Sequence, residues 1–200
     1  MKGSETMNYT PLPLSFYEQP TLELAQGLLG CVLVKETEEG IASGYIVETE
    51  AYLGPEDRAA HSFGNRRTKR TEIMFHEAGR VYTYLMHTHC LVNVVAAEIG
   101  VPNAILIRAV EPLEGLDLMK ERRKGHPMKN WTSGPGKLTK ALGITMGDYG
   151  RFYTEPPLII TEGYTPPEIA AGKRIGIDNS REAKDYPWRF WVKGNPYVSR

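Results

Sequence analysis

The chain has 200 residues, of which 41% are hydrophobic, 24% charged and 10% aromatic. This length suits a single domain, and this composition can bury a core and excludes a disordered polymer. The formal net charge of zero argues, taken alone, against a nucleic-acid partner. Without a signal peptide or an apolar run of about 18 residues, the chain is expected to be soluble and cytoplasmic, with no membrane partner.

Hydrophobic periodicity and turn residues predict the elements in chain order. Residues 1–11 show no periodicity and are expected to form a flexible N-terminus, which leaves residues 12–200 as the domain. Helices are predicted at 21–29, 113–124 and 138–144, and strands at 31–36, 44–54, 80–87, 103–112, 157–161, 174–177 and 189–194. The segment between Gly54 and Gly79 is rich in loops. Because the strands cluster without regular helical crossovers, we expect a mixed α/β (α+β) fold with a largely antiparallel sheet and surrounding helices.

Basic side chains are concentrated in two short runs, at 66–70 and 120–124. A basic patch on one face can bind phosphate groups while acidic residues elsewhere cancel the total charge. Solvated surface loops carry such runs as well, so the pattern alone leaves both interpretations open.

The strand at 44–54 carries the most informative pattern. With a period of two, its odd-numbered residues form a mostly apolar face, and the other face presents Ile46, Glu48, Glu50 and Tyr52. A Glu-x-Glu pair is also typical of an ordinary solvent-facing strand. The turn residues that follow can bring His61 back towards this face.

A second strand, at 80–87, supplies further rings. Tyr52, His61 and Tyr84 can then surround one pocket with Glu50 at its floor. Electron-rich rings around a carboxylate suit a flat, cationic, aromatic ligand. Aromatic residues at strand spacing are also common in ordinary cores.

Long motifs in this region are shared with a known family. The runs VETEAYLGPEDRAAHS, RRTKR, MFHEAGRVYTY, LIRAVEPLEG and SGPGKL, together with Asn93, closely resemble the alkyladenine (3-methyladenine) DNA glycosylase family and indicate a bacterial member. The resemblance continues in order through RIGI and RFWVKGNPYVS, from about Pro13 to Ser199.

The resemblance implies a compact fold on a curved antiparallel sheet and a monomer that needs no metal or cofactor. It implies removal of damaged purines from double-stranded DNA. A base inside a duplex has to leave the stack before an enzyme can reach it, and a damaged base costs least to extrude. Alkylation at a ring nitrogen makes a purine cationic, which suits the ring-lined pocket.

The resemblance also implies residue roles. Glu50 matches the general base that activates the attacking water, and carboxylates are ionised at neutral pH. Arg108 and the backbone carbonyl of Ile175 match the other two contacts of this water. Tyr52, His61 and Tyr84 match the rings around the flipped base. From the strand pattern alone, Glu48 competes with Glu50.

Further positions match contacts of base and DNA: Asn93 lies beside the base, where it discriminates against a guanine amino group, and Arg66, Thr68 and Arg70 lie near the DNA backbone. The family commonly has a Tyr that wedges into the gap left by the flipped nucleotide. Here the run before Asn93 is one residue shorter, and His87 occupies the wedge position.

Two other interpretations remain open at this point. His87, His89 and Cys90, with Glu50 and Asp57, could form a metal site of a metal-dependent hydrolase. Alternatively, the chain could be a nucleic-acid-binding module without catalytic activity.

Overall fold

The computed structural model describes residues 8–199. The predicted flexible N-terminus lies outside the described residues as far as Met7. Within the described part, the helices are α1 (Thr21–Gly27), α2 (Leu116–Arg122) and α3 (Pro135–Leu142). The strands are β1 (Val32–Thr37), β2 (Gly40–Leu53), β3 (Val81–Met86), β4 (His89–Ala96), β5 (Asn103–Glu114), β6 (Leu158–Thr161), β7 (Ile169–Gly172) and β8 (Arg189–Val192).

These strands form one sheet in which neighbouring strands are antiparallel. The order is β3-β4-β5-β2-β1-β6, and β8 pairs with both β2 and β7. Along one edge, β2 pairs with β5 over most of its length, and along its other edge it pairs first with β1 and then with β8. The mixed α/β class with an antiparallel sheet is therefore confirmed.

The sheet separates two apolar clusters. In the larger one, α1 and α3 pack against β2, β4 and β5. The smaller cluster contains Tyr82, Tyr84 and Leu106, and the loop region after β2 contributes Ile73 and Met74 to it. Residues 104–107 of β5 alternate between the two clusters, as the period of a strand requires.

Two glycines with left-handed backbone flank the helices α1 and α2. Gly30, with φ of 88°, follows α1 and lies so close to the Tyr164 carbonyl that a Cβ would be 2.0 Å from it. Gly115, with φ of 74°, precedes α2, so that helix begins at Leu116 and not at 113 as predicted. Both glycines have left-handed backbone that other residues adopt only with strain.

The predicted strands also need correction, and β7 was not predicted at all. The segment 174–177 is not a strand, because it forms bends after β7, which ends at Gly172. The strand predicted at 80–87 ends at Met86 and turns back through His87 and Thr88 into β4, which the periodicity did not single out. Among residues 8–199, no helix is long and apolar enough to cross a membrane.

The packing predicts a large difference between two isoleucines. Ile107 on β5 is completely buried in the larger cluster, whereas Ile99 is 70% exposed. Ile107→Ala should lower the free energy of unfolding by about 2–5 kcal/mol, because it removes buried methyl groups and leaves a cavity. Ile99→Ala, the matched control, should change it by less than about 0.5 kcal/mol. Urea denaturation measures both values, and equal effects would contradict the assignment of β5 to the core.

Candidate active site

Two register shifts between β2 and β5 bring an arginine to a pair of glutamates. Ile46 pairs with Val110 and Glu48 with Ala109, which makes Val47 an extra residue on β2. The next pair is formed by Thr49 and Ile107, so that Arg108 is then the extra residue on β5. Such bulges redirect side chains. As a result, Ile46 and Val47 both join the larger apolar cluster, and Ile46 does not share the face of Glu48 and Glu50 as predicted.

Glu50 is fully buried and accepts three hydrogen bonds. Its Oε1 accepts from the backbone N–H of Ile175 at 2.7 Å. Its Oε2 accepts from the Tyr52 hydroxyl at 2.8 Å and from Nη1 of Arg108 at 3.3 Å. A carboxylate offers about four acceptor positions, so among residues 8–199 one position on Oε1 has no donor.

Glu48 is equally buried but has different partners. Its Oε1 accepts from Nε of Arg108 at 3.1 Å and from the Ser199 hydroxyl at 2.9 Å, and its Oε2 accepts from the Ser199 N–H at 2.7 Å. Neither Glu48 nor its partners Arg108 and Ser199 belong to the lining of the pocket described next, whereas Tyr52, a partner of Glu50, does. The structure therefore separates two glutamates that the strand pattern could not distinguish.

The guanidinium of Arg108 is shared between the two carboxylates. Burial lowers the pKa of this group, but the attraction of Glu50 and Glu48 outweighs burial, and the pKa is raised overall. Arg108 also donates to the Ser199 hydroxyl at 3.2 Å, and Nε of Arg189 lies 3.5 Å from Glu48 Oε1. Two buried carboxylates and two guanidinium groups thus form a single charged cluster.

Next to this cluster lies a pocket of about 180 Å³. Its walls are the side chains and backbone of Tyr52, Ala59, His61, Met74, Tyr82, Tyr84, Met86, Asn93, Ala104, Gly176 and Ile177. Glu50 lies behind Tyr52 and not on the pocket surface itself.

Rings and one amide are held in place around this pocket. The Tyr82 hydroxyl lies 2.8 Å from Nδ1 of His61, and the His61 ring meets Tyr84 edge to face with centroids 4.6 Å apart. Asn93 donates from Nδ2 to the Tyr82 carbonyl at 2.9 Å. The structure therefore brings together the predicted Tyr52, His61, Tyr84 and Asn93. Tyr82 was not predicted as a site residue, although it shares the β3 face of Tyr84.

The surroundings keep the pocket rings in their neutral forms. Burial, reinforced by the charges of Arg70 and Arg66, lowers the pKa of His61 from 6.5 to about 4. Burial and the nearby Glu50 carboxylate raise the pKa of Tyr84 to about 12, and the same causes raise that of Tyr52. At neutral pH the pocket therefore presents an uncharged imidazole and uncharged phenols.

The basic run at 66–70 lies on an exposed loop beside the pocket. Arg66 and Arg70 are exposed and have no ion pair within the described part of the chain, while Arg67 is paired with Glu72 at 2.6 Å. Thr68 is half-buried and hydrogen bonds with the Thr71 side chain, which shapes the loop.

The second basic run, at 120–124, has fewer free cations. Arg122 is paired with Glu39, and Arg123 is buried, with one nitrogen donating to the Asn130 carbonyl. This run lies on and just after α2, and none of its residues lines the pocket.

The β3–β4 hairpin ends in an exposed tip at the edge of the pocket. His87 is exposed at the turn with φ of 54°. Before it, Leu85 and Met86 are 56% and 46% exposed, and Met86 also lines the pocket. His89 begins β4 next to Gly136 of α3.

The proposed metal ligands are not assembled into a site. Among residues 8–199, no three His, Cys, Asp or Glu side chains are grouped as a metal ion would require. Asp57 is instead bonded to Arg174, and Glu50 to the three donors given above.

The chain is similar to known proteins over most of its length. The family model described as methylpurine-DNA glycosylase (MPG) matches residues 15–196. A relative from Bacillus velezensis is 72% identical over 190 residues, which cover 95% of this chain and 97% of the relative. One from Bacillus subtilis is 71% identical over 195 residues, covering 98% and 100%, and one from Listeria monocytogenes is 50% identical over 185 residues, covering 92% and 89%. All three are named as 3-methyladenine DNA glycosylases.

The family model spans most of the chain, and the relatives are similar over nearly their full lengths. The chain belongs to the methylpurine-DNA glycosylase family and is a DNA glycosylase.

Proposed function

We propose that the protein is a monofunctional glycosylase that removes alkylated purines, such as 3-methyladenine and 7-methylguanine, from double-stranded DNA. The related deaminated or etheno-bridged purines, hypoxanthine and ethenoadenine, complete the proposed range. The observation that carries this proposal is a fully buried glutamate, Glu50, fixed by three donors directly behind a neutral, ring-lined pocket. The names of the Bacillus relatives support the choice of 3-methyladenine.

The pocket chemistry supports a cationic, flipped purine as the substrate. The target base leaves the duplex and enters between Tyr52 and His61, with Tyr84 at its edge, where ring faces attract positive charge. Because the pKa of His61 is about 4, its imidazole stays neutral and does not repel a methylated base. Asn93 lies beside the base and selects against an additional amino group.

The reaction follows from the free acceptor position on Glu50. A water molecule binds at this position and is also held by Arg108 and by the backbone carbonyl of Ile175. It attacks C1′ of the sugar and transfers a proton to Glu50. The C1′–N bond breaks, and for an alkylated purine its electron pair neutralises the positive charge on the departing base. A neutral base such as hypoxanthine departs with this electron pair and takes up a proton from an acid or from solvent water. The products are the free base and an abasic site in the DNA.

The exposed residues near the pocket are proposed to bind the duplex. Arg66 and Arg70 contact phosphates, with Thr68 on the same loop, and the hairpin tip with His87 fills the gap left by the flipped nucleotide. We propose a monomer as the working form.

Replacing Glu50 tests the mechanism. Glu50→Gln keeps the shape of the side chain but removes the base, so release of 7-methylguanine or hypoxanthine should fall by about 10²- to 10⁴-fold. Single-turnover assays on single-lesion duplexes measure the rate, and fluorescence anisotropy with an abasic-analogue duplex should give binding like that of the native protein. The control is Glu77→Gln, at an exposed Glu paired with Arg80. Release by Glu50→Gln near the native rate would refute the mechanism.

Neutralising the exposed arginines tests the DNA contact. Affinity falls with salt because phosphate contacts release counterions, with a slope of about 0.9 per contact. Arg66→Gln/Arg70→Gln should therefore weaken binding and reduce the slope of log K against log salt by about 1.8. Arg67→Gln serves as control because Glu72 already neutralises Arg67. An unchanged slope in the double variant would remove this loop from the interface.

The same double variant should shift the titration of His61. Arg70 and Arg66 contribute to lowering its pKa to about 4, so their removal should move the pKa upwards, towards 6.5. NMR titration of the His61 ring in the free protein measures this, and Arg67→Gln should leave it unchanged. Protonation of His61 is less favourable in the folded protein than in the unfolded chain, where its pKa is 6.5. The contribution of neutral His61 to the free energy of unfolding is therefore lost as the pH falls from 6.5 to about 4. If the pKa of His61 is the same in the double variant as in the native protein, the two arginines do not contribute to lowering it.

A further inference from the structure

A second buried ion pair lies behind the pocket. The side chains of Arg174 and Asp57 are both fully buried. Nη1 of Arg174 donates to Asp57 Oδ2 at 2.5 Å and to the Ala51 carbonyl at 2.9 Å. Nη2 donates to Asp57 Oδ1 at 2.9 Å and to the Ala183 carbonyl at 3.1 Å. One guanidinium therefore joins β2, the loop after β2 and the segment before β8.

The same guanidinium is stacked on two aromatic rings. Its central carbon lies 4.6 Å from the centroid of the Tyr52 ring and 5.1 Å from that of Trp188. Tyr52 is a wall of the pocket and donates its hydroxyl to Glu50. A fixed cation on the Tyr52 ring limits the orientations that this ring can take.

Arg174 also precedes the backbone group that holds Glu50. The N–H of Ile175, the next residue, donates to Glu50 Oε1, and Gly176 and Ile177 form part of the pocket wall. Two of the three donors to Glu50, Tyr52 and Ile175, are thus connected to Arg174, one by stacking and one by a peptide bond. Within residues 8–199, the hydrogen bonds of Arg174 go to Ala51, Asp57 and Ala183 and not to Glu50, and Arg174 is not part of the pocket lining.

We propose that Arg174, paired with Asp57, is a positioning residue that fixes the Tyr52 ring and the Ile175 amide on Glu50. This inference rests on the proposed role of Glu50 as the general base. The pair sets the angle at which the carboxylate presents its open acceptor position to water, while the charge of Arg174 is neutralised locally by Asp57.

The geometry requires an arginine specifically. The two Nη atoms of Arg174 donate four hydrogen bonds in the plane of the guanidinium group, and the faces of this group stack on Tyr52 and Trp188. Both require a planar, forked group. A lysine would keep the charge next to Asp57 but could not also reach both backbone carbonyls and stack on Tyr52 and Trp188.

The test is Arg174→Lys, with Arg123→Lys as the matched control. Arg123 is likewise buried, but it lies at the end of α2, away from the pocket. Arg174→Lys should slow single-turnover release of 7-methylguanine by about 10- to 100-fold, because small misplacements of catalytic groups have effects of this size. Its affinity for an abasic-analogue duplex should stay near the native value. Arg123→Lys should keep the native release rate.

Amide hydrogen exchange provides a readout that a general loss of stability does not mimic. In Arg174→Lys, the Ile175 amide should exchange at least about tenfold faster than in the native protein, while amides of β5 stay protected as in Arg123→Lys. If Arg174→Lys does not fold, Trp188→Leu loosens the same stack without breaking the ion pair. It should then slow release and speed Ile175 exchange in the same direction.

The outcomes separate this inference from the proposed function. Native release and native Ile175 exchange in Arg174→Lys, or in Trp188→Leu where only that variant folds, would overturn the positioning role alone. Release by Glu50→Gln near the native rate would instead overturn the proposed function on which the inference rests.

Discussion

Two carboxylates on one strand face, both without solvent exposure, are the constraint on which the site depends. An isolated buried carboxylate is strongly unfavourable, and two neighbouring ones repel each other as well. Arg108 compensates by donating to both Glu48 and Glu50, and the bulge in β5 allows its side chain to reach them. Two further donors, the Ile175 N–H for Glu50 and Ser199 for Glu48, come from distant parts of the chain. The charge cluster therefore also links β2 and β5 to two later segments of the chain, which contain Ile175 and Ser199.

These two segments have different effects. Ser199 donates hydrogen bonds to Glu48 and is not part of the pocket lining. Glu48 and Ser199 both accept hydrogen bonds from Arg108 and thereby fix its position. Ile175 satisfies Glu50 from a segment that does form a pocket wall. Glu48 therefore holds other side chains in place, whereas Glu50 lies next to the pocket. Burial is equal, and only the identity of the partners separates them.

Much of this arrangement could be predicted from sequence, and the remainder has identifiable physical reasons. Alternation in β2 correctly placed Glu48, Glu50 and Tyr52 on one face, because that part of the strand is regular. It misplaced Ile46, because a bulge adds a residue that no period of two reveals. The segment 174–177 has the apolar residues of a strand, but it bends where Gly176 has φ of 76°. Its contacts with Glu50 and Asp57 span more than 100 residues of sequence, and local patterns carry no information on such pairings.

The hairpin tip also affects how the free protein behaves. Leu85 and Met86 are exposed beside His87, so apolar surface faces water whenever no ligand covers the tip. The formal net charge of the chain is zero, and copies of the protein consequently repel each other little at neutral pH. Arg70 is exposed and lines a surface groove together with Leu85, so its positive charge adds local repulsion between two copies that meet at their hairpin tips. A charge next to the apolar tip thereby opposes self-association.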